Sequence, residues 1–269
     1  MKYRLFISDY DGTLGVAPNN DIDKDTLEAI REFQSKGGIF AVCSGRETSS
    51  ITRICRESGL KGLIVSFQGA RISDIESGEY IMEGGLDAKT AIALIKDLKQ
   101  YPLTPLAYAS ETFFYDQKTP YIEVYEKAIR LQGEETDVLK KIQSENIKTS
   151  KICWLGEDSL VNRVADEMNI KYKDAGVKFN SGAKCLLEAI SVNYTKGHAV
   201  RYLAKHYGVP LDQVITVGDS TNDIDLLVGE WHGVAVGDGR EELKAVADEI
   251  TVPFKDKPVK VLLNKYCLD

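Results

Sequence analysis

Four short runs of this sequence bring carboxylates, a hydroxyl and an ammonium to places where strands should end. Asp9-Tyr10-Asp11-Gly12-Thr13 follows the apolar run 3–8, and Gly218-Asp219-Ser220-Thr221-Asn222-Asp223 follows Val214-Ile215-Thr216-Val217. Ser44-Gly45-Arg46 follows Ile39-Phe40-Ala41-Val42-Cys43, and Lys196-Gly197 opens a helical stretch. Taken singly, each has a plain reading: a D-x-D pair as turn residues, Ser44 as a helix cap, Lys196 as a solvated charge and Arg46 as a surface ion pair. Average residue usage, however, gives D-x-D-G-T about one chance in 10⁵ per starting position. In an open parallel sheet, functional groups gather beyond the carboxyl ends of the strands. All four runs then meet at one rim.

Packing Asp9, Asp219 and Asp223 together costs several kcal/mol of repulsion unless a cation compensates. Oxygen ligands with no His or Cys nearby suit a hard ion, and Mg²⁺ takes few protein ligands and shares phosphate oxygens. These three carboxylates and a phosphate monoester dianion carry five negative charges; Mg²⁺ and Lys196 return three positive ones. Backbone N–H groups, the Ser44 hydroxyl and helix N-termini must meet the remainder. Asp9 is ionised at neutral pH and can attack without a base. Asp11 is not an acid at its ordinary pKa. A workable arrangement has its backbone carbonyl on the metal and its side chain toward a leaving oxygen, with substrate docking raising its pKa.

The elements that must position these groups follow from periodicity. A strand at 3–8, a helix at 25–36 with a capping box from Asp25 to Glu28, a strand at 39–43, a helix at 48–58 and a strand at 63–65 make a βαβαβ unit. A hairpin turns at Ser77-Gly78, and Gly84-Gly85 offers a hinge. From there the expected elements are a helix at 87–100, two short strands within 106–115 and helices near 121–131 and 136–145. Strands at 152–155, 170–173, 177–180 and 185–190 complete a largely antiparallel unit. Helix 197–207, strand 214–217, a short helix, strand 233–236, helix 240–247, strand 249–252 and a terminal helix resume the first rhythm. The expected fold class is α/β: a doubly wound, mostly parallel, Rossmann-like core at 1–84 plus 190–269, interrupted by a smaller α/β domain at 85–189.

With 43% hydrophobic and 28% charged residues the chain is globular rather than disordered. Its net charge of -7 argues against a nucleic-acid backbone as partner. No apolar run is long enough for a membrane span, and Leu5-Phe6-Ile7 is too short for a secretory leader. Five scattered cysteines without C-x-x-C fit a reducing cytoplasm, where the Asn193-Tyr194-Thr195 triplet would stay unglycosylated. His198, His206 and His232 lack metal spacing, and no P-loop is present. Gly237-x-Gly239 lacks the third glycine of a dinucleotide fingerprint, having Glu242 there. Trp154 and Tyr108, Tyr121 and Tyr125 read as packing or surface residues of the inserted domain.

These motifs, in this order over essentially the whole chain, resemble those of haloacid-dehalogenase-superfamily phosphatases, and most closely the Cof-type branch with a large α/β cap. The resemblance implies that Asp9 forms an aspartyl-phosphate, while Asp11 protonates the leaving group and then activates water. It places Ser44, Gly45, Lys196 and Asn222 about the phosphoryl group, and Arg46 near the substrate. Mg²⁺ would sit on Asp9, the Asp11 carbonyl and Asp219, with Asp223 in or near that shell. The chain departs from the family pattern at Gln68-Gly69-Ala70, where Asn-Gly-Ala is usual. It also has Ser191 and Asn193 where Pro and Gly are common, and Gly237-Asp238-Gly239 where Gly-Asn-Ala is usual. The expected function is Mg²⁺-dependent hydrolysis of a small phosphorylated metabolite, a sugar phosphate above all. The alternatives are a phosphomutase and a catalytically idle metabolite-binding regulator of the same fold.

Overall fold

The computed structural model describes residues 1–16, 21–109 and 112–268. The chain divides into two compact units, Met1–Met82 with Thr195–Asp269, and Glu83–Tyr194. The expected boundary at 189/190 falls inside a strand. That strand runs to Ser191, and the Val192 amide still donates to the Gly176 carbonyl at 3.0 Å, which keeps the segment in the second unit.

The first unit begins with β1 (Leu5–Ser8), the short pair β2 (Gly15–Val16) and β3 (Asp21–Ile22), α1 (Lys24–Ser35), β4 (Ile39–Cys43), α2 (Thr48–Glu57) and β5 (Leu63–Ser66). β6 (Arg71–Asp74) and β7 (Tyr80–Glu83) follow as the expected hairpin. The cap of α1 lies two residues earlier than the predicted capping box. Asp23 is its cap, accepting from the amides of Asp25 at 3.0 Å and Thr26 at 3.3 Å. In the second unit come α3 (Ala88–Leu98), β8 (Thr104–Ala109), β9 (Thr112–Tyr115), α4 (Pro120–Ile129), β10 (Glu134–Glu135) and α5 (Val138–Glu145). They are followed by β11 (Lys151–Leu155), α6 (Asp158–Lys171), β12 (Val177–Ala183) and β13 (Leu186–Ser191). Residues 110 and 111, inside the expected strand pair at 106–115, lie outside the described residues. The first unit resumes with α7 (Lys196–Tyr207), β14 (Val214–Gly218), α8 (Ile224–Leu227), β15 (His232–Ala235), α9 (Glu241–Lys244), β16 (Glu249–Ile250) and α10 (Pro258–Leu263).

The first unit's sheet has the order β16-β15-β14-β1-β4-β5-β6-β7, parallel from β16 to β5 and antiparallel at β5–β6. β1 lies between β4 and β14, with Leu5 opposite both Ile39 and Val214. All four β1 residues are buried, as a central parallel strand covered on both faces requires. Phe6 packs with Ile30, Phe33, Phe40, Ile51 and Leu262 on one face, under α1, α2 and α10. Leu5 and Ile7 pack with Ala199, Val200, Leu203 and Leu226 on the other, under α7 and α8. This is the doubly wound sheet expected.

The second unit has a six-stranded sheet in the order β10-β9-β8-β11-β13-β12, antiparallel except between β9 and β10. Ile152, Trp154, Leu187 and Ala189 join residues of α3, α5 and α6 in its core. The strand expected at 170–173 is instead the end of α6. Val161, Val164, Ala165 and Met168 recur at helical spacing and are all buried.

Candidate active site

β1 ends where the Asp9 amide donates to the Val217 carbonyl of β14 at 2.9 Å. The chain then turns on the Tyr10 carbonyl, which accepts from the amides of Thr13, Leu14 and Gly15. Gly12 has φ +81°, and a Cβ on it would stand 2.5 Å from Asp219 Oδ2. Only glycine lets this loop pass so close to the other acidic loop. Thr13 Oγ1 donates to Asp219 Oδ1 at 3.3 Å and ties the two together.

The loop after β14 is organised by Asp223. Its Oδ2 accepts from the backbone amides of Asp219 at 3.1 Å and Ser220 at 3.0 Å, capping the single turn Thr221–Asp223. Its Oδ1 faces Lys196 Nζ at 2.6 Å, and the same ammonium donates to Asp9 Oδ1 at 2.5 Å. Lys196, the first residue of α7, is only 1% exposed. Its backbone is held by Gly69, φ +110°, where a Cβ would lie 2.2 Å from the Thr195 carbonyl oxygen.

Asp9, Asp219 and Asp223 each offer a carboxylate oxygen within 4.8 Å of the others. One ammonium cannot neutralise three carboxylates at this depth. Burial, then the charge of Asp223, raises the Asp9 carboxyl well above the usual carboxylate range against the pull of Lys196. The same causes push Asp219 up to about 6. Burial works against the Lys196 ammonium, but Asp223 and Asp9 outweigh it and hold its pKa above the ordinary range. A surplus of buried anionic oxygen, with no nitrogen or sulfur ligand among the three, fits a hard divalent cation.

Ser44 is buried at the end of β4. Its amide donates to the Val65 carbonyl, its own carbonyl accepts from Gln68, and its Oγ accepts from the Arg46 amide at 3.2 Å. Arg46 forms a two-point pair with Asp11, from Nε at 2.8 Å and Nη2 at 2.6 Å, with its guanidinium 5.0 Å from the centre of the Tyr10 ring. Gly45 packs against the Gln68 amide, and Asn222 Nδ2 donates to Gln68 Oε1 at 3.3 Å. The structure therefore brings Asp9, Lys196, Asp219 and Asp223 into direct contact or near it. Asp11 is paired with Arg46, and Asn222 is attached to Gln68, a residue that belongs to none of the four runs. The only signal for Gln68 in the sequence is its departure from Asn-Gly-Ala. Cys43, behind the site, is buried with its thiol pushed up to about 12, so it is an inert core residue.

The chain matches the haloacid dehalogenase-like hydrolase family over residues 6–262. It is a haloacid dehalogenase-like hydrolase. A putative phosphatase of Haemophilus influenzae is 24% identical over 267 residues, covering 98% of each chain. The HMP-PP phosphatase of Serratia proteamaculans is 23% identical over 250 residues, covering 93% of this chain and 89% of its own. Among solved structures, the subclass IIB sugar phosphatase BT4131 superposes with a TM-score of 0.82 at 17% identity, over 99% of this chain and all of the other. Membership gives the hydrolase its fold, as the motif order implies. The three-carboxylate group lies at the carboxyl edge of its sheet, beside β1, where the strand order reverses. Among its described residues no helix is long and apolar enough to cross a membrane.

Proposed function

We propose that this hydrolase is a Mg²⁺-dependent phosphatase that releases phosphate from a small phosphorylated metabolite, most simply a sugar phosphate, in two steps through Asp9. The observation that carries the reading is the contact of one buried ammonium with two of three clustered carboxylates, Lys196 with Asp9 and Asp223. Asp9, Asp219, Asp223 and the Asp11 carbonyl would hold Mg²⁺, which when bound supplies positive charge to the carboxylates and to phosphoryl oxygens.

Asp9 attacks phosphorus with an oxygen that Lys196 keeps in place, forming an aspartyl-phosphate and displacing the alcohol. Lys196, the Ser44 hydroxyl and the amides of the Ser44–Gly45 turn meet the charge on the phosphoryl oxygens. Asp11 donates a proton to the leaving oxygen, and in the second step takes one from the water that attacks the aspartyl-phosphate. To reach a leaving oxygen its carboxyl group must first leave its two-point pair with Arg46. That requirement gives Arg46 a substrate-dependent role: an anionic phosphoryl group competes with Asp11 for the guanidinium. Relatives named for HMP-PP and sugar phosphatase activity support a small soluble substrate. Five unpaired cysteines support a reducing cytoplasm as its place of work.

The test is phosphate release from a panel of phosphorylated metabolites, with MgCl₂ or with EDTA. Release is expected only with the metal, and Asp9→Asn should lower turnover by several orders of magnitude. Turnover that survives EDTA, or survives Asp9→Asn, refutes the reading.

A further inference from the structure

Gln68 stands outside the four runs, yet it and its neighbours Phe67 and Gly69 meet three of them. Phe67, Gln68 and Gly69 take φ values of +50°, +59° and +110° in succession. Left-handed backbone at two consecutive residues with full side chains is costly and persists where the surroundings impose it, often at functional sites. Here the surroundings are the rim itself. The Phe67 amide donates to the Arg46 carbonyl at 2.9 Å, the Gln68 amide donates to the Ser44 carbonyl at 3.1 Å, and Gly69 abuts the Thr195–Lys196 backbone.

The side chain continues the pattern. Gln68 is only 7% exposed. Its Oε1 accepts from Asn222 Nδ2 at 3.3 Å, while Nε2 lies 2.4 Å from where a Cβ on Gly45 would be. Among the described residues Nε2 has no hydrogen-bond partner. This amide nitrogen is not among the fully buried polar atoms left without a partner, so it stays open to the rim as a free donor for an incoming ligand. The neighbours restrict that ligand. On one side lies the Ser44–Gly45 turn and on another the Lys196 helix start, and the rim already carries an excess of negative charge. A neutral N–H donor stabilises an incoming anion there without altering the charge that holds the metal-binding carboxylates.

We propose that Gln68 is a substrate-binding residue, whose Nε2 donates to an oxygen of the phosphoryl group held between the Ser44 turn and Lys196. This rests on the phosphatase reading above. Its carbonyl end, fixed by Asn222, sets the direction of the amide. The acidic loop after β14 thereby aligns a phosphate contact made by the loop after β5.

Two near-isosteric variants of the full chain separate the donor from its surroundings. Gln68→Met removes it without adding charge, and Gln68→Glu keeps an acceptor for Asn222 while replacing the donor by an anionic oxygen. Affinity for tungstate, a phosphate mimic, is measured by calorimetry in MgCl₂, with kcat and KM for para-nitrophenyl phosphate and the melting temperature alongside. Gln68→Met is expected to weaken tungstate binding about 10- to 100-fold, the usual worth of a hydrogen bond to a charged group. Gln68→Glu should weaken it further, with kcat/KM falling in step and the melting temperature little changed. Wild-type tungstate affinity in Gln68→Met overturns the inference. Should that variant not fold, wild-type affinity in Gln68→Glu overturns it equally. If the wild-type chain itself neither binds tungstate nor releases phosphate, the phosphatase reading fails and takes the role of Gln68 with it.

Discussion

Replacing Lys196 by methionine is the sharpest perturbation of the site, because length and burial are kept and only the charge goes. Asp9 and Asp223, 2.5 and 2.6 Å from the ammonium, then face Asp219 with no cation among them. Removing one partner of a buried ion pair typically costs about 3–5 kcal/mol. Two features favour the lower end of that range. Asp223 keeps the amides of Asp219 and Ser220, and Asp9, already raised by burial, can take up a proton. A loss of about 3 kcal/mol in a domain of this size lowers the melting temperature by roughly 6–12 °C. The same change at Lys205, exposed on the same helix, should stay within about 0.5 kcal/mol. Because the deficit is one of charge, a divalent cation should repair much of it. Saturation at 100 times its dissociation constant adds about 2.7 kcal/mol. Scanning calorimetry at neutral pH, in EDTA and in MgCl₂, reads all of these quantities. If Lys196→Met melts in EDTA within about 2 °C of the wild type, the ammonium does not stabilise the carboxylate cluster.

Two further predictions concern the frame around the site and the second unit. Gly69→Ala puts a methyl 2.2 Å from the Thr195 carbonyl and forces alanine to φ +110°, so it should cost more than about 3 kcal/mol in urea denaturation; a loss under about 1 kcal/mol would show that the α7 start can retreat. In the second unit, Glu126 is buried on α4 and bonded to Lys118 at 2.8 Å and the Gly133 amide at 2.9 Å. Burial raises its pKa, but Lys118 and the Gly133 amide outweigh it and leave the carboxyl below its usual range. A depressed carboxylate contributes stability above its unfolded pKa of about 4.5 and loses it as the pH falls through the folded value. Glu126→Gln should therefore lose about 1–3 kcal/mol at neutral pH and flatten the acid limb of unfolding, followed by Trp154 fluorescence in a Trp231→Phe background. An acid midpoint unchanged by Glu126→Gln refutes this.

Much of the first unit was legible because central parallel strands are short apolar runs and each ends at a chemically loaded turn. Leu5–Ser8, Ile39–Cys43 and Val214–Gly218 all lie where those runs predict. The second unit was harder. α6 begins after Gly156 with acidic residues and has a weakly segregated face, so its end at Ile170-Lys171 imitated a short strand. The cap of α1 went to Asp23 because side-chain capping is decided by one residue's backbone angle, which spacing does not reveal. At the site, the acidic triad and Lys196 could be named from residue type alone. The Arg46–Asp11 pair and the Gln68–Asn222 bridge join loops 35 and 154 residues apart in sequence. Such contacts depend on how turns are aimed, and no local pattern encodes that.

Strand order also sets a timetable for assembly. β1 is flanked by β4, made early, and by β14, which is complete only when residue 218 has emerged. At roughly 5–20 residues per second, the amino-terminal strands wait on the order of ten to forty seconds for their second neighbour. During that interval one edge of β1 has its hydrogen-bonding groups unpaired, while the intervening 112-residue block from Glu83 to Tyr194 already holds every strand of its own sheet. Nascent chains of this hydrolase should therefore be most dependent on chaperones, and most prone to aggregate, just before β14 leaves the ribosome.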